Sequence, residues 1–379
     1  ELAVRTQRHY SSVLGRPRLV PAGAGAVTAV ATALDYRAEI LLVWAARGSV
    51  YACELPATGP AGPARRLGPA GADPEIGALL SDDGHAIVAW RSQPITPDGG
   101  SVSPSTLTVG SGSSPAGTVG GEGVRTAGGG GSTAIELSLF QAGPGATLEP
   151  GSLRQVERFR DPPGFPPPPG SLRLIRLSSE AVMLAWTGLD ADGNYVVRAS
   201  PVSLRRGAWA PVTISPATAA HGDDAVLADL VPGPDAEALA LWSAGPRLRS
   251  GAPNPRRQAI LAALGHYAGR GEVAFEAPES IAPPGPNGPP AAAFDPQTAR
   301  ALAAWVRLAR GAGVGRLAYA LRAAGSASTP PPAGARAATG VSPSEVALPL
   351  LALLLLTAVA VLARAAGRRR GHTHAVRRG

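Results

Sequence analysis

Residues 76–90 read IGALLSDDGHAIVAW, from Ile76 to Trp90. A short apolar run meets the polar turn Ser81-Asp82-Asp83-Gly84, and a second apolar run then closes on a tryptophan. Turn chemistry between two such runs reads as a β-hairpin. The closing phrase recurs as LLVW at Trp44, IVAW at Trp90, MLAW at Trp186, LALW at Trp242 and LAAW at Trp305, and so takes five of the six tryptophans. Equivalent lead-ins are RLIRLSSEAVMLAW before Trp186 and AAAFDPQTARALAAW before Trp305.

A third apolar stretch follows each phrase: Ser49–Leu55, Asn194–Val202, Gln258–Ala268 and Gly315–Ala323. A fourth, shorter one follows in places, at Trp209–Ser215 and Val273–Ile281. The tryptophans are 46, 96, 56 and 63 residues apart, which predicts a four-stranded unit in tandem with loops of variable length. Inside the longest interval, residues 93–132 are a Gly/Ser/Thr/Pro tract that cannot bury a core, so it is expected to be one disordered insertion. The third strand of that unit is then expected at Thr133–Gln141 and the fourth at Arg154–Arg160.

Four-stranded units repeated at this period are the sequence pattern of a β-propeller. The chain resembles bacterial propellers of the sialidase-like kind, in phrases such as AIVAW (Ala86–Trp90) and GAWAPVTIS (Gly207–Ser215) over most of residues 20–323. The Asp-box of sialidases, Ser-x-Asp-x-Gly-x-Thr-Trp, has no full counterpart, because Ser81-Asp82-Asp83-Gly84 is spaced differently. The expected fold class is all-β, a propeller of about five to seven four-stranded blades over residues 1–323, plus a C-terminal transmembrane helix. A β-sandwich array or an open solenoid would use the same strands. LAVRTQRHY (Leu2–Tyr10) and RPRLVP (Arg16–Pro21) read as the third and fourth strands of a blade whose beginning is missing, and the last repeat lacks a fourth strand. An N-terminal strand completing the last blade would close a five-bladed ring and remove its open edges.

From Val346 to Ala363 the chain reads VALPLLALLLLTAVAVLA, eighteen residues without a charge. As a helix this covers about 27 Å, the thickness of the bilayer hydrocarbon. Pro349 falls in the first turn, where a missing N–H breaks no intrahelical bond. Residues 364–379 carry six arginines and no acid, which predicts a basic cytoplasmic tail and an N-terminal part outside the cell. The tail accounts for most of the net charge of +8: it holds six of 35 basic residues, leaving 29 against 27 acids elsewhere. No nucleic-acid partner is expected from the basic balance. Residues 324–345, rich in Pro, Ser and Ala, read as a stalk. ELAVRTQRHY at the N-terminus lacks an apolar signal region, so the sequence is expected to be a processed or truncated form of an exported protein. The lone Cys53 fits export without disulfides, and all-Arg basic usage with heavy Ala, Gly and Pro fits a GC-rich bacterial genome.

Arg336-Ala337-Ala338-Thr339-Gly340 ahead of the apolar run resembles a sortase sorting signal, Leu-Ala-x-Thr-Gly, matched at Ala337, Thr339 and Gly340 but with Arg336 in place of Leu. That resemblance implies cleavage between Thr339 and Gly340 and transfer to the cell wall; the alternative is a chance Thr-Gly in the stalk. No catalytic, metal or cofactor-binding set is expected. Gly128–Gly131 is followed by no Lys-Ser/Thr and is not a phosphate loop. Asp190-Ala191-Asp192-Gly193-Asn194 has part of a calcium-loop pattern but reads better as a hairpin turn. Ser81, Asp83 and His85 are too close in sequence for a nucleophile–base–orienter triad. The sialidase resemblance implies three arginines converging on a substrate carboxylate, with Arg37, Arg91, Arg173, Arg176, Arg198 and Arg307 near strand ends as candidates. The recurring tryptophans are expected in the core between blades and not on a sugar-stacking surface. Expected is a monomeric, membrane-anchored extracellular binding module for a protein or glycan, with a sialidase-like hydrolase or a structural envelope protein as alternatives.

Overall fold

The computed structural model describes residues 2–5, 15–20, 25–71, 74–92, 132–141, 153–160, 171–179, 181–203, 207–215, 223–248, 254–269, 271–295, 298–308 and 315–322. The chain divides into Glu1–Ala327 and Ser328–Gly379, and all described residues belong to the first unit. The tract 93–131, the stalk expected at 324–345, the helix at 346–363, the tail at 364–379, and Thr339 and Gly340 lie outside the described residues. Among the described residues no helix is long and apolar enough to cross a membrane.

The described residues are all-β apart from one 3-10 turn at Pro234–Ala236. Strands β1 (Leu2–Val4) and β2 (Arg18–Val20) form an antiparallel ribbon. The first sheet is β3 (Val27–Leu34), β4 (Ile40–Ala46), β5 (Ser49–Leu55) and β6 (Arg65–Pro69), paired in that order. The second is β7 (Ile76–Leu80), β8 (His85–Ser92), β9 (Ser132–Gln141) and β10 (Leu153–Arg160), again in chain order. The third runs β11 (Leu172–Arg176), β12 (Ala181–Leu189) and β13 (Tyr195–Ser203), with β14 (Gly207–Ala208) and β15 (Val212–Thr213) both on β13. The fourth runs β16 (Asp223–Pro232), β17 (Glu237–Pro246) and β18 (Gln258–Gly269), with β19 (Glu272–Phe275) and β20 (Glu279–Gly285) both on β18. The fifth has three strands, β21 (Ala291–Asp295), β22 (Arg300–Leu308) and β23 (Gly315–Arg322).

The second strands β4, β8, β12 and β17 are apolar on both faces because each is covered on both sides, whereas β22 is buried on its Trp305 side alone. β4 and β12 are buried along their whole length. The tryptophan of each phrase turns toward the preceding sheet. Trp90 shares a core with Val43 and Ala45 of β4, Trp186 with Ile87 and Ala89 of β8, and Trp242 with Met183 and Ala185 of β12. Trp305 packs on Ile260 of β18 and Ala282 of β20. In IVAW and MLAW the alanine before the tryptophan faces the other way, where its small side chain leaves room for the next sheet's indole. Each indole buries about 150–250 Å², which makes these seams the main apolar cores of the molecule. The first strands lie side by side, β3 on β7, β7 on β11, β11 on β16 and β16 on β21, so the sheets are stacked in chain order with their first strands along one line.

Three expectations need correction. The ribbon β1–β2 does not complete the fifth sheet; it pairs only with itself, and Leu2, Val4 and Val20 pack on the Trp44 face of the first sheet. Among the described residues no core cluster joins the fifth sheet to the first. The fourth stretch expected at Trp209–Ser215 holds only the short β15, separated from β14 by a segment with Pro211, and the one at Val273–Ile281 is split between β19 and β20 by a segment with Pro278; neither proline has an N–H for the ladder. The fourth strand of the first sheet, β6, has no apolar run to announce it, since Arg65-Arg66-Leu67-Gly68-Pro69 alternates only weakly.

Candidate functional site

Along one end of the stack, residues at the ends of second strands and the starts of first and third strands meet across three of the seams. Between the second and third sheets, Arg91 at the end of β8 donates to Ser171 Oγ at 2.8 Å and to the Thr187 carbonyl at 3.1 Å. Glu75 lies 3.9 Å from the same guanidinium and accepts the Ser171 N–H at 3.1 Å. Between the third and fourth sheets, Asp224 accepts the Tyr195 N–H at 2.8 Å and is paired with Arg247, whose guanidinium sits 5.0 Å from the centre of the Tyr195 ring. Arg247 also donates to the Gly193 carbonyl at 2.8 Å. Between the fourth and fifth sheets, Asn287 donates to the Gln258 carbonyl at 2.7 Å. Ser92 and Ser132, the described residues on either side of 93–131, stand on this same end. This rim is the candidate functional face.

The six candidate arginines do not share a target. Arg91 is buried in the seam just described. Arg173 donates to the Ala228 carbonyl at 2.9 Å and lies 3.6 Å from Asp229. Arg176 donates to the Ser178 carbonyl at 3.2 Å and lies 3.6 Å from Asp82, in the turn between the first two strands, at the opposite end of its sheet. Arg198 pairs with Glu157 at 2.6 Å, and Arg37 donates to the Tyr36 hydroxyl at 2.9 Å. Arg307 stands on β22, across from Arg316. These positions serve seams and turns, and no trio of them surrounds one point.

Ser81, Asp83 and His85 do meet, in the wrong order for nucleophilic catalysis. The Asp83 carboxylate contacts both the Ser81 hydroxyl and His85 Nδ1, the latter at 2.9 Å. A triad needs the imidazole between the hydroxyl and the carboxylate. Here the hydroxyl also accepts the His85 N–H at 2.8 Å, so the group is a turn clasp. The Ser81 hydroxyl, and then His85, hold the Asp83 carboxyl down at about 2. Asp190 behaves likewise: its Oδ1 accepts the N–H groups of Asp192 at 3.0 Å and Asn194 at 2.8 Å, and Gly193 has φ +78°, the geometry of a hairpin turn. Among the described residues no three His, Cys, Asp or Glu side chains group as a metal site. Cys53 is buried, with Sγ donating to the Gly62 carbonyl at 3.1 Å.

The groups that sequence reading did not single out are the buried polar partners in the seams. Glu157 on β10 accepts the Trp186 indole N–H at 2.6 Å, and Trp90 donates in the same way to the Pro69 carbonyl at 2.8 Å. Burial pushes the Glu157 carboxyl up, against the opposing pull of Trp186 and Arg198. Glu136 on β9 is also pushed up by burial, with the Ser92 hydroxyl 3.4 Å away. No local motif marks these residues, because their partners stand 21 or more positions away.

No family model matches this sequence, and no curated protein matches it. Among solved structures, the fold is similar to an ulvan lyase of a new polysaccharide lyase family, at TM-score 0.40 and 10% identity over 80% of this chain and 69% of that one. It is also similar to a thermostable family-43 glycoside hydrolase, at TM-score 0.33 and 10% identity over 81% and 96% of the two chains. A protein of unknown function from Dyadobacter fermentans gives TM-score 0.29 and 13% identity over 78% and 94%. Likenesses at this level do not assign an activity.

Proposed function

We propose that the stacked sheets are blades of a β-propeller held outside the cell, and that the module binds a protein or glycan through the rim that carries the 93–131 tract. The supporting observation is the repeated seam: four times in succession a tryptophan of one sheet packs on the sheet before it, with the first strands side by side. A repeat scaffold of this kind presents one end as a continuous surface built from loops. Residues 324–345 serve as the stalk, residues 346–363 as the single membrane helix and residues 364–379 as the cytoplasmic tail. Their apolar run and arginine distribution support that topology. If Thr339-Gly340 is cut by a sortase, the same module ends on the cell wall.

The polar groups of the rim are engaged with one another across seams, which favours binding over hydrolysis. The test uses the full chain in detergent on a glycan array and in pull-downs, beside a variant with 93–131 replaced by a short Gly/Ser linker. Saturable binding that the replacement removes without lowering the melting temperature supports the reading. Release of sugar from an array ligand would make the protein a hydrolase. The absence of any saturable ligand would favour a structural envelope role.

A further inference from the structure

An antiparallel sheet with one face in water alternates apolar and polar residues, and the fifth sheet departs from that pattern. On β22 and β23 the alternation turns Ala303, Trp305, Ala318 and Ala320 toward the fourth sheet. The residues between them, on the other side, are apolar as well. Leu302 pairs with Leu321, Ala304 with Tyr319 and Val306 with Leu317. Val306, Leu317, Tyr319 and Leu321 are 44%, 52%, 51% and 53% exposed, and Leu308, next along β22 on the same side, is 47% exposed.

Charge is kept off this face. The same alternation puts Arg307 and Arg316 on the Trp305 side, together with Arg322, which donates to Glu276 at 2.8 Å. The charged pair on the apolar side, Asp295 opposite Arg300, stands at the turn end of the sheet and carries both signs. Anionic lipid headgroups would therefore find a poor match, and a glycan would need more hydrogen-bonding groups than the Tyr319 hydroxyl offers. The first sheet presents less apolar surface, because the β1–β2 ribbon covers its Trp44 face and leaves Val30 and Leu34 of β3 exposed.

We propose that the fifth-sheet faces of two copies of this chain pack on one another about a twofold axis, with Tyr319 near its centre. A twofold sets the same patch on both sides, and a face without net charge brings no like charges together. Five side chains about half exposed, with the alanines of β21 beside them, present about 500 Å² per copy, so the pair would bury about 1,000 Å² in total, near the lower end of specific interfaces. A contact of that size is reversible, and the monomer expected from sequence is its dilute form. The proposal is independent of any ligand at the rim.

Sedimentation velocity of the full chain, reconstituted at one copy per lipid nanodisc, tests this over about 1 to 100 μM, where an interface of this size dissociates. A shift from single to paired discs is expected with rising concentration. Tyr319→Arg should weaken the pairing at least about tenfold, while Tyr36→Arg, in the β3–β4 turn at 71% exposure, should leave it unchanged. Tyrosine nitration of the unaltered chain reads the same contact without a variant: relative to Tyr36, Tyr319 should react about threefold more slowly at the highest concentration than at the lowest. Single discs throughout, with Tyr319 as reactive as Tyr36, overturn the proposal. So does pairing that Tyr319→Arg leaves intact, which would place the contact elsewhere. Protection of Tyr319 in single discs also overturns it and assigns the face to lipid or to another segment of the same chain.

Discussion

Replacing Trp90 and Trp44 one at a time by Phe separates a satisfied seam tryptophan from an unsatisfied one. Both are fully buried, so the loss of apolar burial is similar, about 1 kcal/mol each. Trp90→Phe also deletes the bond to the Pro69 carbonyl, worth about 0.5–1.5 kcal/mol, and leaves that carbonyl unpaired. Trp44→Phe deletes a buried N–H that has no partner, and relief of its desolvation, about 1–3 kcal/mol, offsets the lost area. The two variants are therefore expected to differ by about 1.5–4.5 kcal/mol, which at about 2–4 °C per kcal/mol is about 3–18 °C in melting temperature. Urea unfolding followed by far-UV circular dichroism reads the difference, provided that the slopes agree. Equal destabilisation would refute the polar accounting of the seams.

Arg247→Ala is expected to cost about 3–5 kcal/mol, because it strands the buried Asp224 carboxylate, while Arg247→Lys recovers part of it; thermal melts check both. Glu136→Gln is expected to stabilise the protein at pH 7. Burial raises the Glu136 carboxyl above its unfolded value, so stability falls as pH rises through the folded-state pKa, and the gain of the variant should vanish below the ordinary carboxyl range. Gly68→Ala is expected to cost about 1–3 kcal/mol, since the added Cβ would lie 2.8 Å from Trp90 Cζ2, and Trp90→Phe should relieve part of that cost in the double variant.

The parts of the fold legible in sequence were those fixed by local pattern. Hairpins ending in a tryptophan phrase appear as predicted at β7–β8, β11–β12 and β21–β22, because turn residues and apolar runs lie within a few positions of one another. The tryptophans are core residues, as their fixed place in each repeat implied. Fourth strands were less legible, since β6 and the halves β14, β15, β19 and β20 are short edge segments held by neighbours more than by their own pattern. Strands were expected within Leu2–Tyr10 and Arg16–Pro21 and are found at Leu2–Val4 and Arg18–Val20, but their docking on the first sheet depends on Val20 meeting Trp44, a contact across the fold. The rim was illegible for the same reason. Arg91 finds Ser171 and Thr187, and Asp224 finds the Tyr195 N–H, only after two sheets have stacked.

The most direct test of surface display is protease treatment of intact cells expressing the chain with a tag after Gly379. Cleavage within residues 324–345 should release the stacked sheets into the medium as one folded fragment while the tag stays protected until the cells are lysed. Release of nothing from intact cells, or loss of the tag before lysis, would contradict the account.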